Sequence, residues 1–435
     1  MEDRQLEEQG RHPKGLFVLF ASEAWERFSF YSMLSLFTLY LRDGEEGFGW
    51  TEAEATTLYS WYLTFVYASP FIGGLLADRY WGYLRTTLIG AVFFVAGHLL
   101  LSFHSLPVVY LALCCLIVGN GLFKPNVSTM VGNLYPDGSP LKDQAFIIFY
   151  FGINVGAFVA PVAMEVIKQT AGYHPAFAVA GAGMVVSLSW LYLQRRHVRA
   201  ADAPTALPKV ERTANSELDK VPESRRILAL LAIFVIVIVF WMAFHQNGST
   251  LTYWADDNTA WEVSGTISNA INPFFILVLS FPLVQFWRFL GKRGKEPSTP
   301  AKMALGMLFT GFSFFILYWA AKVGEASVVG PDPYAYEVSP AWLIGSYGVV
   351  TLGELLLSPM GLSLVSKVAP FRLRGMMMGG WFVATAVGNK LTAIGVYWTR
   401  WPHSVFFAVL GLMCVAVAGI MAAVLKPLKK SMPGV

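Results

Sequence analysis

The chain has 435 residues, of which 55% are hydrophobic and only 14% are charged. Soluble globular domains carry roughly 25% charged residues, so the composition excludes an ordinary soluble protein and indicates a polytopic membrane protein. The formal net charge of +4 is small and reflects basic loops, so no nucleic-acid-binding surface is predicted. The three cysteines lie in apolar segments without CxxC spacing, and neither a metal site nor any other cofactor is expected.

The first apolar segment contains three ionisable side chains in the stretch Glu23-Ala24-Trp25-Glu26-Arg27-Phe28. Each charge at the centre of a bilayer costs about 2.5–3.5 kcal/mol. On a helix, Glu23 and Arg27 are separated by one turn in the favourable acid-first order, and Tyr31 lies one turn further. We expect this stripe to face a protein interior or a watery cavity. The alternative is an ion pair that only fixes helix packing.

Apolar runs of about 20 residues predict membrane-spanning helices. Twelve such runs are present, and the longest polar linker separates the sixth from the seventh. They cover approximately 15–41, 53–77, 83–103, 107–131, 145–167, 174–194, 227–247, 260–290, 301–323, 338–367, 371–397 and 403–426. The predicted fold is all-α, with two six-helix bundles at 1–194 and 227–435 joined by a cytoplasmic linker at 195–226. This is the plan of the major facilitator superfamily, in which two halves move about a midplane site.

Basic and acidic loops alternate along the chain. Lys and Arg cluster after the second and eighth spans and in the central linker, whereas the intervening loops are acidic, as at Asp43 and Glu45. Because cytoplasmic loops carry the excess of Lys and Arg, both termini are predicted to be cytoplasmic.

Two further charged residues fall at the membrane depth of Arg27, counted at 1.5 Å per residue. They are Lys124 in the fourth span and Glu354 in the tenth. Cations in one half and an acid in the other suit a zwitterion such as a peptide. Glu23 and Glu26 are surplus acids whose proton affinity depends on whether Arg27 is free, which suggests proton coupling. The alternatives are helix-end residues that reach the interface, or one static network of all five charges.

Three asparagines also lie within apolar spans, namely Asn154, Asn272 and Asn389. Asn272 precedes Pro273, and proline in a membrane helix frees backbone groups that line cavities. Interhelical hydrogen bonding is an equally good explanation for each asparagine.

Four stretches together resemble the proton-dependent oligopeptide transporter family. Glu23 to Phe28 matches its ExxERF motif, and the other three resemble its signatures in spans five, ten and eleven. Those three stretches are Phe149 to Pro161, Gly353 to Ser363 and Gly375 to Asn389.

The resemblance implies a symporter that imports di- and tripeptides with protons by alternating access, and not an enzyme. It places Glu23, Glu26 and Arg27 at proton-coupling positions. It implies substrate-binding positions at Tyr31, Tyr67, Lys124, Asn154, Trp241, Asn272, Glu354, Ser358 and Trp381. The expected partners are small peptides, protons and the lipid bilayer. A monomer in the bacterial inner membrane, without a cofactor, is expected.

The chain departs from the family pattern near the predicted outer end. Leu34 and His245 stand where many members carry an Arg and a Glu that are thought to pair as an outer gate. We therefore expect a different outer-gate interaction, with His245 either titrating there or having no role. The short central linker cannot hold the two extra helices that many bacterial members carry.

Two other functions are alternatives to peptide symport. The same fold could transport nitrate or another small anion or amino-acid-like substrate, but an acid such as Glu354 helps only a substrate with a positive end. A membrane enzyme would need a nucleophile–base set, metal ligands or a phosphate-binding glycine loop, and the sequence contains no such spacing.

Overall fold

The computed structural model describes residues 11–136, 139, 141–202, 217–248, 250–261, 268, 270–329, 331, 332, 334–398 and 400–434. Within these ranges the regular secondary structure is helical, and a single β-bridge joins Thr259 and Val338. Residues 203–216 of the predicted linker lie outside the described residues.

In the described part of the chain, six long helices precede the linker and six follow it, with one short helix among the latter. The first group is α1 Lys14–Arg42, α2 Glu52–Leu76, α3 Tyr83–Leu100, α4 Leu106–Asn133, α5 Lys142–Ala171 and α6 Tyr173–Gln194. The second group is α7 Glu223–Phe244, the short α8 Thr250–Asp257, α9 Ile271–Lys292, α10 Thr299–Ser327, α11 Pro340–Val368, α12 Arg374–Leu391 and α13 His403–Ser431. Among the described helices, nine are long and apolar enough to cross a membrane. The all-helical, multi-pass prediction is confirmed, while twelve spans without extra helices stays a prediction.

The helices form two compact units. The first contains the chain up to Glu223 together with Val365–Val383, and the second contains Ser224–Leu364 and the chain from Ala384 onward. The division near residue 223 lies close to the predicted linker. The predicted boundaries of two six-helix bundles are not tested by this clustering and stay a prediction.

In the first unit, α1 packs against α5 and α6, and α4 packs against α2 and α3. Small residues allow the close approach of α4 to its neighbours, as is usual where membrane helices associate. A Cβ atom on Gly121 would lie 2.7 Å from the Cβ of Ser69, and one on Gly90 would lie 2.9 Å from the carbonyl oxygen of Gly119. This packing sets the positions of the α1 and α4 side chains.

In the second unit, α10 packs against α13, and Gly311 lies on that contact. On another face of α10, a Cβ atom on Gly306 would lie 2.6 Å from the carbonyl oxygen of Gly353 in α11. Because Gly353 immediately precedes Glu354, this close approach fixes the backbone that carries the acid.

A turn after α2 holds the start of α12 within the first unit. It is the π-helix Ala77–Trp81, and Gly82 follows it with a φ of 75°. The carboxylate of Asp78 accepts hydrogen bonds from the backbone N–H groups of Gly375 and Met376 at 2.9 and 2.8 Å, and from the Tyr83 hydroxyl at 2.8 Å. An acid at a helix N-terminus satisfies otherwise unpaired N–H groups. Burial nevertheless raises the pKa of Asp78 to about 6.

The raised pKa of Asp78 predicts a pH-dependent stability. Because the folded-state pKa exceeds the ordinary value of 3.8, the contribution of Asp78 to stability is fully present below that value. It is lost as the pH rises through the folded pKa. We expect the apparent Tm of the purified wild type to fall between about pH 4 and pH 7 more steeply than that of Asp78→Asn.

Asp43 provides a control of opposite sign. Backbone N–H groups of Glu46 and Glu45 lower the pKa of Asp43, so its contribution to stability is lost as the pH falls. Asp43→Asn should therefore show the same decrease in Tm towards neutral pH as the wild type. Parallel pH profiles for wild type and Asp78→Asn would contradict the prediction.

Candidate functional site

Arg27 forms a side-on, bidentate ion pair with its neighbour Glu26. Its Nε donates to one carboxylate oxygen and its Nη2 to the other. The side chain of Glu26 is fully buried, and Arg27 is 5% exposed. Glu23 is also near, with Oε1 3.8 Å from Arg27 Nε. The sequence favoured Glu23 as the partner one turn away, but the guanidinium fork bonds Glu26, because two parallel bonds suit a planar carboxylate.

Glu23 is instead hydrogen-bonded to Lys124 of α4. Glu23 is fully buried, and Lys124 is 8% exposed. The four side chains form what is called here the charge quartet, namely Glu23, Glu26, Arg27 and Lys124. Each acid has one cation as its main partner, so the charge quartet is neutral when all four members are ionised.

Asn120 is a member of the site that the sequence analysis missed. It lies one turn before Lys124 on α4, and its Oδ1 accepts a hydrogen bond from Arg27 Nη2 at 3.3 Å. Its i,i+4 spacing from Lys124 places both residues on one helix face, and this spacing was the available signal.

Aromatic rings surround Arg27 on α1. The guanidinium carbon lies 4.4 Å from the ring centroid of Phe30 and 5.9 Å from that of Tyr31. Both distances are within the range of cation–π attraction. Tyr67 of α2 is half-buried, and its hydroxyl makes no hydrogen bond with any residue in the described ranges. Of the predicted pocket tyrosines, Tyr31 thus contacts the charge quartet directly.

Asn154 forms a hydrogen bond within its own helix and not the interhelical bond that was the alternative to a substrate role. It is 6% exposed, and its Nδ2 donates to the carbonyl oxygen of Tyr150 within α5 at 2.9 Å. It makes no hydrogen bond to the charge quartet among the side chains that the structure describes. A substrate role for Asn154 stays a prediction.

In the second unit, Asn272 and Glu354 are in direct contact. Asn272 Nδ2 of α9 donates to Glu354 Oε2 of α11 at 2.7 Å and to Thr351 Oγ1 at 2.9 Å. Glu354 is 3% exposed. Two residues predicted independently from the sequence therefore meet, and Thr351 adds a neighbour that the sequence analysis did not single out.

The remaining predicted pocket residues are buried. Ser358 lies one turn after Glu354 on α11, and Trp241 lies on α7, where its ring stacks on His245 with centroids 5.4 Å apart. Trp381 belongs to the segment of α12 that clusters with the first unit. Its neighbour Phe382 has its ring centroid 5.8 Å from Lys124 Nζ, so this segment reaches the charge quartet.

Comparison with known proteins identifies the family. The model of the POT family matches residues 84–210 and 203–413. The chain belongs to the POT family. The resemblance drawn from the four sequence motifs is thereby confirmed.

Individual POT family relatives cover nearly the whole chain. The uncharacterised transporter YclF of Bacillus subtilis (strain 168) is 31% identical over 98% of this chain and 96% of its own length. A di-/tripeptide transporter of Lactococcus lactis subsp. lactis (strain IL1403) is 29% identical, with 97% and 96% covered. A crystallised mutant of a peptide transporter POT in complex with alafosfalin superposes with a TM-score of 0.71 at 30% identity, and all of both chains is covered.

Two positions distinguish this POT family member from the motif pattern. Leu34 is half-buried on α1, and the ring of His245 is stacked on Trp241. The Nε2 atom of His245 has no hydrogen-bond partner among the residues placed by the structure. A titrating His245 therefore stays a prediction.

The buried pairing of Lys124 with Glu23 predicts a large effect of breaking it. Lys124→Ala leaves a buried carboxylate without its main cation, and we expect a loss of about 3–5 kcal/mol in the free energy of unfolding. Adding Glu23→Gln to this variant should recover part of the loss. The measurement is denaturant unfolding of the purified protein in detergent.

The exposed pair of Lys168 and Glu165 is the matched control. Its atoms are 2.7 Å apart, with side chains 22% and 50% exposed, and Lys168→Ala should cost less than about 1 kcal/mol. Equal losses for both lysine variants would contradict the assignment of Lys124 as a buried partner.

Proposed function

We propose that this protein is a proton-coupled symporter that imports di- and tripeptides by alternating access. Membership of the POT family supports this function, as does the Lactococcus di-/tripeptide transporter that matches over 97% of this chain. The protein is thus a transporter and not an enzyme.

The balance of charge in the charge quartet is the observation that carries the coupling proposal. Two carboxylates and two cations, none more than 8% exposed, sum to zero. A peptide carboxylate that binds Arg27 and Lys124 adds a third anion, and an uncompensated buried charge is strongly unfavourable. One proton on a glutamate restores the balance. We propose that such a proton accompanies the peptide.

Glu26 is the better candidate for the proton carrier. Arg27 directs its Nε and Nη2 at Glu26, so protonation of Glu26 weakens both charge-assisted bonds at once. The Nη1 edge of Arg27 makes no hydrogen bond within the described part of the chain and is available to a carboxylate. Release of Arg27 by protonation would therefore couple the proton to binding of the peptide.

Glu354 is proposed to bind the peptide ammonium. It is a buried acid that accepts a hydrogen bond from the amide of Asn272 at 2.7 Å, and a carboxylate is the group that attracts an ammonium. This argument also disfavours nitrate or another simple anion, which has no positive end for an acid such as Glu354 to bind. No observation favours that alternative.

The remaining predicted pocket residues complete the proposed binding site. Hydroxyl groups of Tyr31, Tyr67 and Ser358 and the amide of Asn154 would bond the peptide backbone, while Trp241 and Trp381 would contact its side chains. The positive-inside pattern supports cytoplasmic termini. The bacterial relatives support a location in the inner membrane. A monomer with protons as the coupling ion and no cofactor completes the proposal.

The function is tested by uptake of a labelled dipeptide into proteoliposomes. We expect an inward proton gradient to concentrate the dipeptide inside, because the coupled proton supplies the driving force. Unlabelled dipeptides and tripeptides should compete, and nitrate should not. Uptake that is equal with and without the proton gradient, or competition by nitrate alone, would refute the proposed symport.

Glu26→Gln should separate proton coupling from peptide binding. A glutamine retains the shape of protonated Glu26 but cannot release a proton, so gradient-driven uptake should be abolished. Counterflow exchange of labelled for unlabelled dipeptide should remain, since it needs no net proton transfer. Glu165→Gln, on an exposed part of α5, is the control and should behave as wild type. A Glu26→Gln protein that still concentrates dipeptide would show that the proton is carried elsewhere.

A further inference from the structure

Asn120 connects three helices at the charge quartet. It is 3% exposed on α4. Its Nδ2 donates to the backbone oxygen of Val66 on α2 at 2.8 Å, and its Oδ1 accepts from Arg27 Nη2 on α1 at 3.3 Å. Because only the NH2 end of the amide can donate, the bond to Val66 turns the oxygen end towards Arg27.

The acceptor on α2 is available because of a proline. In an α-helix the carbonyl oxygen of residue i accepts from the N–H of residue i+4, and proline has no N–H. Pro70 lies inside α2, four residues after Val66, so the Val66 oxygen loses that partner. It accepts instead from Asn120 Nδ2 at 2.8 Å. Pro70 therefore sets the orientation of Asn120.

Asn120 contributes most when Glu26 is neutral. Protonation of Glu26 weakens the ion pair with Arg27, and Glu23 Oε1 lies only 3.8 Å from Arg27 Nε. A shift of the guanidinium to Glu23 would compete with Lys124 for its partner and would withdraw Arg27 from a substrate carboxylate. The contact with Asn120 involves a neutral amide, so it survives protonation of Glu26 and opposes that shift.

We propose that Asn120 is a positioning residue that holds Arg27 ready for the substrate's carboxylate, and that Pro70 orients Asn120 by freeing the Val66 carbonyl. The inference rests on the proposed transport of peptides. The added element is the hydrogen bond from Arg27 to the neutral amide of Asn120. This contact favours binding of the released Arg27 to the substrate over its pairing with Glu23.

The test compares a dipeptide with its C-terminal amide, which lacks the carboxylate. Uptake and competition are measured in proteoliposomes for wild type, Asn120→Ala and Pro70→Ala. Asn120→Ala should raise the KM for the dipeptide about tenfold, the effect of losing one hydrogen bond to a charged group. The kcat and the weaker affinity for the amide should be retained. Pro70→Ala restores the helical N–H and should raise the same KM about threefold.

Asn126→Ala is the matched control. Asn126 is a fully buried asparagine on the same helix, and its Nδ2 donates to the carbonyl oxygen of Leu122 at 2.7 Å, away from the charge quartet. This variant should keep the wild-type preference for the free carboxylate.

The possible outcomes separate this inference from the proposed function. Equal changes for dipeptide and amide in Asn120→Ala, or the same response in Asn126→Ala, would overturn the positioning role. An unchanged preference in Pro70→Ala would overturn the role of Pro70. A wild-type protein that takes up neither compound, or does not prefer the dipeptide, would overturn the proposed function itself.

Discussion

The bidentate pair between Arg27 and Glu26 is the interaction on which the rest of the first unit's site depends. A buried guanidinium must be matched by a buried anion, and Glu26 meets this need with both of its oxygens. Because Glu26 is occupied, Glu23 is left for Lys124, and that second pair ties α1 to α4. The close packing of α4 against α2 and α3 through small residues then holds Lys124 at the right depth. The charge pairs of the site and the helix packing of the unit therefore depend on each other. A change in the protonation of Glu26 affects both.

The two units present different chemistry to a substrate. The first unit holds two acids and two cations in balance, whereas in the second unit Glu354 accepts a hydrogen bond from the neutral amide of Asn272. A neutral cluster rejects an added anion until a proton enters, and a buried acid beside an amide attracts a cation. These two requirements are those of a zwitterion that travels with a proton.

Prolines inside the helices leave backbone carbonyl groups without the hydrogen bond that a regular helix provides. Pro70 releases the Val66 carbonyl to Asn120, and Pro125 removes the helical partner of the Gly121 carbonyl. A Cβ atom on Gly73 would collide with that Gly121 oxygen, so only a glycine fits the crossing of α2 and α4. The Val66 carbonyl accepts from Asn120, the side chain whose oxygen end contacts Arg27.

The sequence by itself determined that the protein is helical and membrane-embedded, because apolar runs of spanning length are local features. It also determined which residues are chemically exceptional, since the charges at Glu23, Glu26, Arg27, Lys124 and Glu354 are unfavourable in a bilayer wherever the helices pack. Only the tertiary structure decided the partners. Helical spacing favoured Glu23 as the partner of Arg27. In the folded protein α4 brings Lys124 to Glu23, and Arg27 pairs with Glu26. Asn120 was missed for the same reason. The role of an asparagine in an apolar span depends on which atoms of other helices lie within hydrogen-bonding distance of it.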